Sequence, residues 1–146
     1  MTREQLEHPI RVAADIAQDD EIVIVGSQAL LGQFPDAPAT LRVSVEADLY
    51  PKNHPERAEL IDGSIGEASP FHDTYGYYAQ GVGEETSVPA GWRDRLVAVR
   101  NANTRGATGW CLGRTGTCSP GGAHRGSRAR SRSLSMSLAR RPRFRF

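Results

Sequence analysis

The chain is poor in sulfur and in lysine, with two cysteines, two methionines and a single lysine among 146 residues. Cys111 and Cys118 stand seven positions apart with no second pair nearby. A zinc site needs about four suitable ligands, so the cysteines do not predict one, and Cys111 is expected to be a reduced, buried thiol. No stretch approaches the roughly 20 apolar residues that cross a bilayer. Met1 to Glu7 lacks the apolar run of a signal peptide, so the expected location is the cytoplasm, with no membrane partner. Acidic residues are absent beyond position 112.

That last absence divides the chain. Residues 1–112 carry 17 Asp and Glu against nine Lys and Arg, whereas residues 113–146 carry nine Arg and no Asp, Glu or Lys. The near-neutral total of +1 is therefore the sum of −8 and +9. The length suits one domain. The charge break predicts a folded domain over 1–112 and an Arg/Ser/Gly-rich disordered tail over 113–146, whose few apolar residues do not offset the entropy of ordering it.

Within 1–112 the elements alternate. Thr2 and Gln5 have capping-box spacing, and Leu6, Ile10, Ala13, Ala14 and Ala17 recur at helical intervals, predicting a helix to about Gln18 with Pro9 as a kink or late start. Glu21 to Val25 is a β-branched run that suits a buried strand. Gly26-Ser27 ends it, Gln28 to Leu31 reads as the start of a helix, and Gly32 to Thr40 reads as a loop. Arg42 to Tyr50 alternates Val43, Val45, Ala47 and Leu49 with Arg42, Ser44, Glu46 and Asp48, predicting a strand with one apolar and one polar face. His54 to about Ile65 reads as a helix ended near Gly63 or Gly66. Strands are predicted over Thr74–Val82, Arg95–Val99 and Thr108–Leu112. The order predicts an α/β (α+β) fold, a small mixed sheet with flanking helices.

Chemistry concentrates at the strand, Gly-Ser, helix unit and the polar-faced strand after it. A glycine after a buried strand lets backbone approach a ligand closely, and a helix beginning there offers free N–H groups to a phosphate. Glu46 and Asp48, two residues apart on a strand, point to one side. Such a pair suits magnesium, which takes carboxylate oxygens together with substrate phosphate oxygens. Metal held this way stabilises in-line displacement at phosphorus. Arg42 and Ser44 are expected on the same face as nucleotide-binding residues beside Gly26 and Ser27. The plain alternative is that Glu46 and Asp48 form the solvated face of an edge strand.

Gly26-Ser27 followed by Arg42-x-Ser44-x-Glu46-x-Asp48 resembles the nucleotidyltransferase superfamily pattern, a Gly-Gly or Gly-Ser at a helix start followed by a strand bearing Asp-x-Asp or a variant. The runs Val25 to Pro35, Glu46 to Pro51, Gly76 to Val82 and Gly109 to Leu112 are similar to those of a group of bacterial, largely actinobacterial, nucleotidyltransferase-like proteins of unassigned function. The resemblance covers roughly residues 2–112. It implies that fold, with Glu46 and Asp48 as catalytic and metal-binding residues, magnesium as cofactor and a nucleoside triphosphate as ligand. The superfamily also contains partners in toxin–antitoxin pairs, so a non-catalytic protein that binds a protein partner stands as the alternative. The sequence departs from the pattern at three points. Position 46 is Glu rather than Asp, the interval from Ser27 to Glu46 is longer than in compact members, and no clear counterpart of an additional strand carboxylate is present, Asp94 being nearest by position.

Other residues read more plainly. Tyr75, Tyr77 and Tyr78 suggest sheet packing over base stacking. His54 and His72 suit solvated or capping roles, and Trp92 and Trp110 suit core anchors. Two accounts of the tail stay open. Clustered arginines bind nucleic acid through phosphates. Alternatively, the reading frame slipped near codon 113, because 17 Arg against one Lys fits a GC-rich gene, and such DNA read out of frame yields Arg, Gly, Ser, Pro and Ala. The resembled proteins continue past Leu112 into a helix that nothing here matches. This second account expects a domain without its last helix and with apolar sheet surface exposed.

Overall fold

The computed structural model describes residues 1–83, 85–86 and 88–113. The expectations for the tail lie outside the described residues, Gly113 apart. Helix α1 spans Arg3–Ala17, and its Thr2 and Gln5 exchange both bonds of the expected capping box. Pro9 lies inside it and is fully buried. The run of β-branched residues is strand β1, Glu21–Val25. A 3-10 turn over Ser27–Ala29 passes into the short helix α2, Leu30–Gln33. Strand β2 is Glu46–Pro51, followed by α3, Ala58–Ile65, and α4, Pro70–Tyr75. Strands β3, β4 and β5 are Tyr78–Gly81, Leu96–Val99 and Thr108–Leu112.

The five strands form one mixed sheet in the order β3-β2-β1-β5-β4. β1 pairs antiparallel with β2 and parallel with β5, β2 runs parallel to β3, and β4 runs antiparallel to β5. The α+β expectation holds: a mixed sheet carries helices on one face. Leu6, Ile10 and Ala13 of α1, Leu30 and Leu31 of α2 and Ile61 of α3 share one core with Ile22, Ile24, Leu49 and Cys111 of the sheet. Ile10, Ile22, Ile24 and Leu49 are fully buried. Each contributes on the order of 1.5–3 kcal/mol relative to exposure. Cys111 is the expected buried free thiol.

The other face carries Val23, Val25, Tyr50, Trp110 and the acidic side chains of β2. No helix covers it. Val82, Val88 and Trp92, from the connection between β3 and β4, pack there against Val23, Val25 and Tyr50. Two boundaries differ from the sequence reading. The predicted strand over 42–50 begins only at Glu46: Val45 O accepts from Tyr78 N of β3 at 3.0 Å, but the paired register starts one residue later and Val43 is 79% exposed. The first part of the predicted strand over 74–82 is instead the end of α4, which Ser69 caps through His72 N (3.2 Å) and Pro70 begins.

Candidate functional site

The register places the two halves of the expected site together. Val25, the last residue of β1, pairs with Asp48 of β2, so the chain turns at Gly26 directly beside the Asp48 carboxylate. Gly26 has φ +72 and ψ −163, a region essentially restricted to glycine. A Cβ there would run into Asp48 Oδ2 and lie 3.4 Å from Asp48 Cγ. Backbone and carboxylate therefore meet because position 26 has no side chain.

Glu46 and Asp48 are both half-buried and stand on the same face of β2. β2 lies between β3 and β1, so this is not the solvated face of an edge strand. Burial, and after it the adjacent Glu46 carboxylate, push the Asp48 carboxyl up to about 6. Opposite Glu46 in the parallel register is Tyr78, whose hydroxyl donates to Glu46 Oε2 at 3.1 Å. Burial and Glu46 push the Tyr78 hydroxyl up to about 12, which keeps it a donor at any physiological pH. Gln80 stands opposite Asp48. On the β3 side the cross-strand neighbours of the acidic pair are thus a phenol and an amide. Asp94 lies on the 3-10 turn Trp92–Arg95 that leads into β4, three strand positions from β2. Among the described residues no group of three or more His, Cys, Asp or Glu side chains is placed to hold a metal ion.

Ser27 is exposed at the bend, and the Gln28 amide donates to its Oγ at 3.3 Å. Gln28 is 2% exposed and its Oε1 has no hydrogen-bond partner. The helical segment here is three residues of 3-10 followed by four of α-helix. It supplies free N–H groups at its start but is too short for a large dipole. Arg42 and Ser44 do not join the site, which corrects the expectation that they share its face. The Arg42 Nε donates to Ala37 O at 2.6 Å, and the amino group of Met1 donates to the carbonyls of Arg42 and Ser44. Ser44 Oγ instead accepts from Glu46 N at 3.1 Å and starts the strand. The reason is shared: pairing begins at Glu46, so strand alternation does not reach these two residues.

Comparison with known proteins brings no relative to this geometry. No family model, no curated protein and no solved structure matches the chain. The site therefore rests on the side chains alone. Of the six expected residues, Gly26 and Asp48 meet, Glu46 stands beside Asp48 on β2, and Ser27 is exposed next to Gly26 at the bend. Sequence reasoning gave Tyr78 to sheet packing and passed over Gln28 and Gln80. Period-two alternation over 78–81 would have put Tyr78 and Gln80 on one face, but only the pairing of β3 with β2 shows which residues they oppose. His54 and His72 take local roles, His54 with N donating to Asp19 and His72 with Nδ1 accepting from Ala68 N. Tyr75 and Tyr77 pack with His8 and Phe71, away from the pair.

Proposed function

We propose that this chain is a nucleotidyltransferase-like protein that holds a nucleoside triphosphate with magnesium at the junction of β1 and β2. One observation carries the reading: Asp48 Oδ2 lies against the Cβ-less Gly26 while Glu46 stands beside it on the same face. The donor chemistry fits magnesium, which binds through one or two carboxylates and takes its remaining ligands from water and phosphate. Two neighbouring carboxylates, one of them held above its ordinary range by burial and by the other, are relieved by a divalent cation. In this reading Glu46 and Asp48 are the carboxylate ligands, and Tyr78 fixes the orientation of Glu46. Ser27 and the backbone N–H groups after Gly26 face the phosphates. Held by Glu46 and Asp48, magnesium would supply positive charge that favours displacement at phosphorus.

Isothermal calorimetry with several nucleoside triphosphates and magnesium, on the native chain and on Asp48→Ala, tests this. Metal-dependent heat in the native protein that disappears in the variant supports it. Absence of heat in both rejects it.

One observation favours the partner-binding alternative. Phe34, Leu41, Val43 and Val45 are all exposed, and Phe34 and Leu41 border an apolar groove of about 430 Å3 with Leu30, Pro35 and Ala37. In that reading the chain acts through a protein partner in the manner of an antitoxin. Co-purification with the product of a gene in the same operon, lost in Val43→Glu, would support it over transfer chemistry.

A further inference from the structure

The open face of the sheet has a second chemical feature beside the acidic pair. The chain's two tryptophans, Trp92 and Trp110, meet there with Tyr50, Leu96, Lys52 and Arg93 around a cavity of about 460 Å3. That volume lies within the usual range of small-molecule sites. Each indole already carries a cation over its ring. Lys52 Nζ is 5.1 Å from the Trp110 centroid, and Arg93 Cζ is 5.3 Å from that of Trp92. Both cationic residues are exposed, so their head groups are able to swing from the ring faces to an anion at the mouth.

Glu21 sets the frame. Its Oε1 accepts from Trp110 Nε1 at 3.2 Å and from Lys52 Nζ at 3.2 Å, and its Oε2 accepts from Asn53 Nδ2 at 3.1 Å. The indole is therefore held by its edge where it lines the cleft, with Lys52 over its ring. Tyr50 follows Asp48 on the same face of β2, about 7 Å along the strand, so cleft and acidic pair adjoin without sharing a residue.

We propose that this cleft binds a nucleoside monophosphate, its base against the indoles and its phosphate between Lys52 and Arg93. Two flat apolar rings flanked by two exposed cations, Lys52 also paired with Glu21, complement a flat ring that bears an anion, and stacking of this kind accepts any base. The proposal is independent of the metal–triphosphate reading.

Trp92 and Trp110 are the chain's only tryptophans, so their fluorescence reports occupancy directly. The full chain is titrated, with a chelator and no magnesium, against AMP, UMP, adenosine and inorganic phosphate. Saturable quenching by both monophosphates, weaker quenching by adenosine and none by phosphate is expected. Lys52→Met with Arg93→Met, both at exposed positions, should weaken the monophosphates about tenfold and leave adenosine unchanged, one decade being the equivalent of a charge-assisted phosphate contact. Asp48→Ala should leave the quenching intact. No quenching at millimolar nucleotide, or equal monophosphate affinity in the double variant, overturns the proposal. Loss of quenching in a folded Asp48→Ala would also overturn it, because the nucleotide would then sit on the acidic pair. An affinity that instead grows with the length of a single-stranded oligonucleotide would make the ligand a nucleic acid and overturn it too.

Discussion

Gly26 and Asp48 face one another across the β1–β2 pair so closely that the glycine's missing side chain is what makes room for the carboxylate. The relationship joins a backbone requirement to a chemical one. Gly26→Ala would force a side chain into a glycine-only backbone region and against Asp48 Oδ2 at once. The expected loss of stability is at least about 2 kcal/mol. Urea unfolding of the variant measures it, and an unchanged midpoint would show that the bend tolerates a side chain.

Asp48 should trade stability for binding. Its carboxyl is held near 6, above the ordinary carboxylate value, so the folded state favours the protonated form. Its contribution to stability is therefore full at pH below the ordinary range and is lost as pH rises through about 6. Asp48→Asn should be more stable than the native protein at pH 8, by about 1 kcal/mol once solvent screening of this half-exposed group is allowed for. The difference should vanish near pH 3. The same substitution should abolish magnesium-dependent nucleotide binding. Thermal melts across this pH range, with and without magnesium, check both halves.

Asp19 has the opposite sign. Burial alone would raise its carboxyl, but four hydrogen bonds outweigh it and hold the group below its ordinary range. The donors are Glu21 N at 3.0 Å, Asn53 N at 2.8 Å, Asn53 Nδ2 at 2.9 Å and His54 N at 3.1 Å. They fasten the chain after β2 to the start of β1. A depressed carboxyl contributes stability above its unfolded value and loses it as pH falls through the folded one. Asp19→Ala should cost about 2–3 kcal/mol at pH 7, because several backbone donors lose their acceptor. The gap should narrow below about pH 4. Parallel urea titrations at the two pH values test this.

Cys111 should be inert while the protein is folded. It is fully buried, and burial pushes its thiol up to about 12. A Cβ on Gly32 would collide with the Cys111 side chain, so α2 packs directly over it. In a Cys118→Ser background, a thiol reagent should label Cys111 only at the rate of unfolding. Labelling within the dead time of mixing would show that α2 does not stay docked.

Elements with local signatures were legible in the sequence. The Thr2–Gln5 capping box gave α1, the apolar run gave β1, and period-two spacing put Glu46 and Asp48 on one face. Where alternation was mistaken for pairing, the reading failed. Val43 and Val45 alternate correctly but precede the first paired residue, Glu46, so Arg42 and Ser44 turn to the loop and the N-terminus. Ser69, Pro70 and Gly76 were sufficient signals for α4, yet the tyrosines after them drew the segment toward a strand. The tryptophan cleft had no local signature. Lys52, Trp92 and Trp110 come from separate elements, and only the sheet order brings them together.

The central claim is that Gly26, Ser27, Glu46 and Asp48 form one metal–triphosphate site. Paramagnetic broadening of backbone amide signals by manganese(II), added with a nucleoside triphosphate in place of magnesium, tests this most directly. The account predicts that the amides of Gly26, Ser27, Ala47 and Asp48 disappear first and together, and that they persist in Asp48→Asn. Broadening that begins elsewhere in the chain, or that spares the bend at saturating nucleotide, would contradict it.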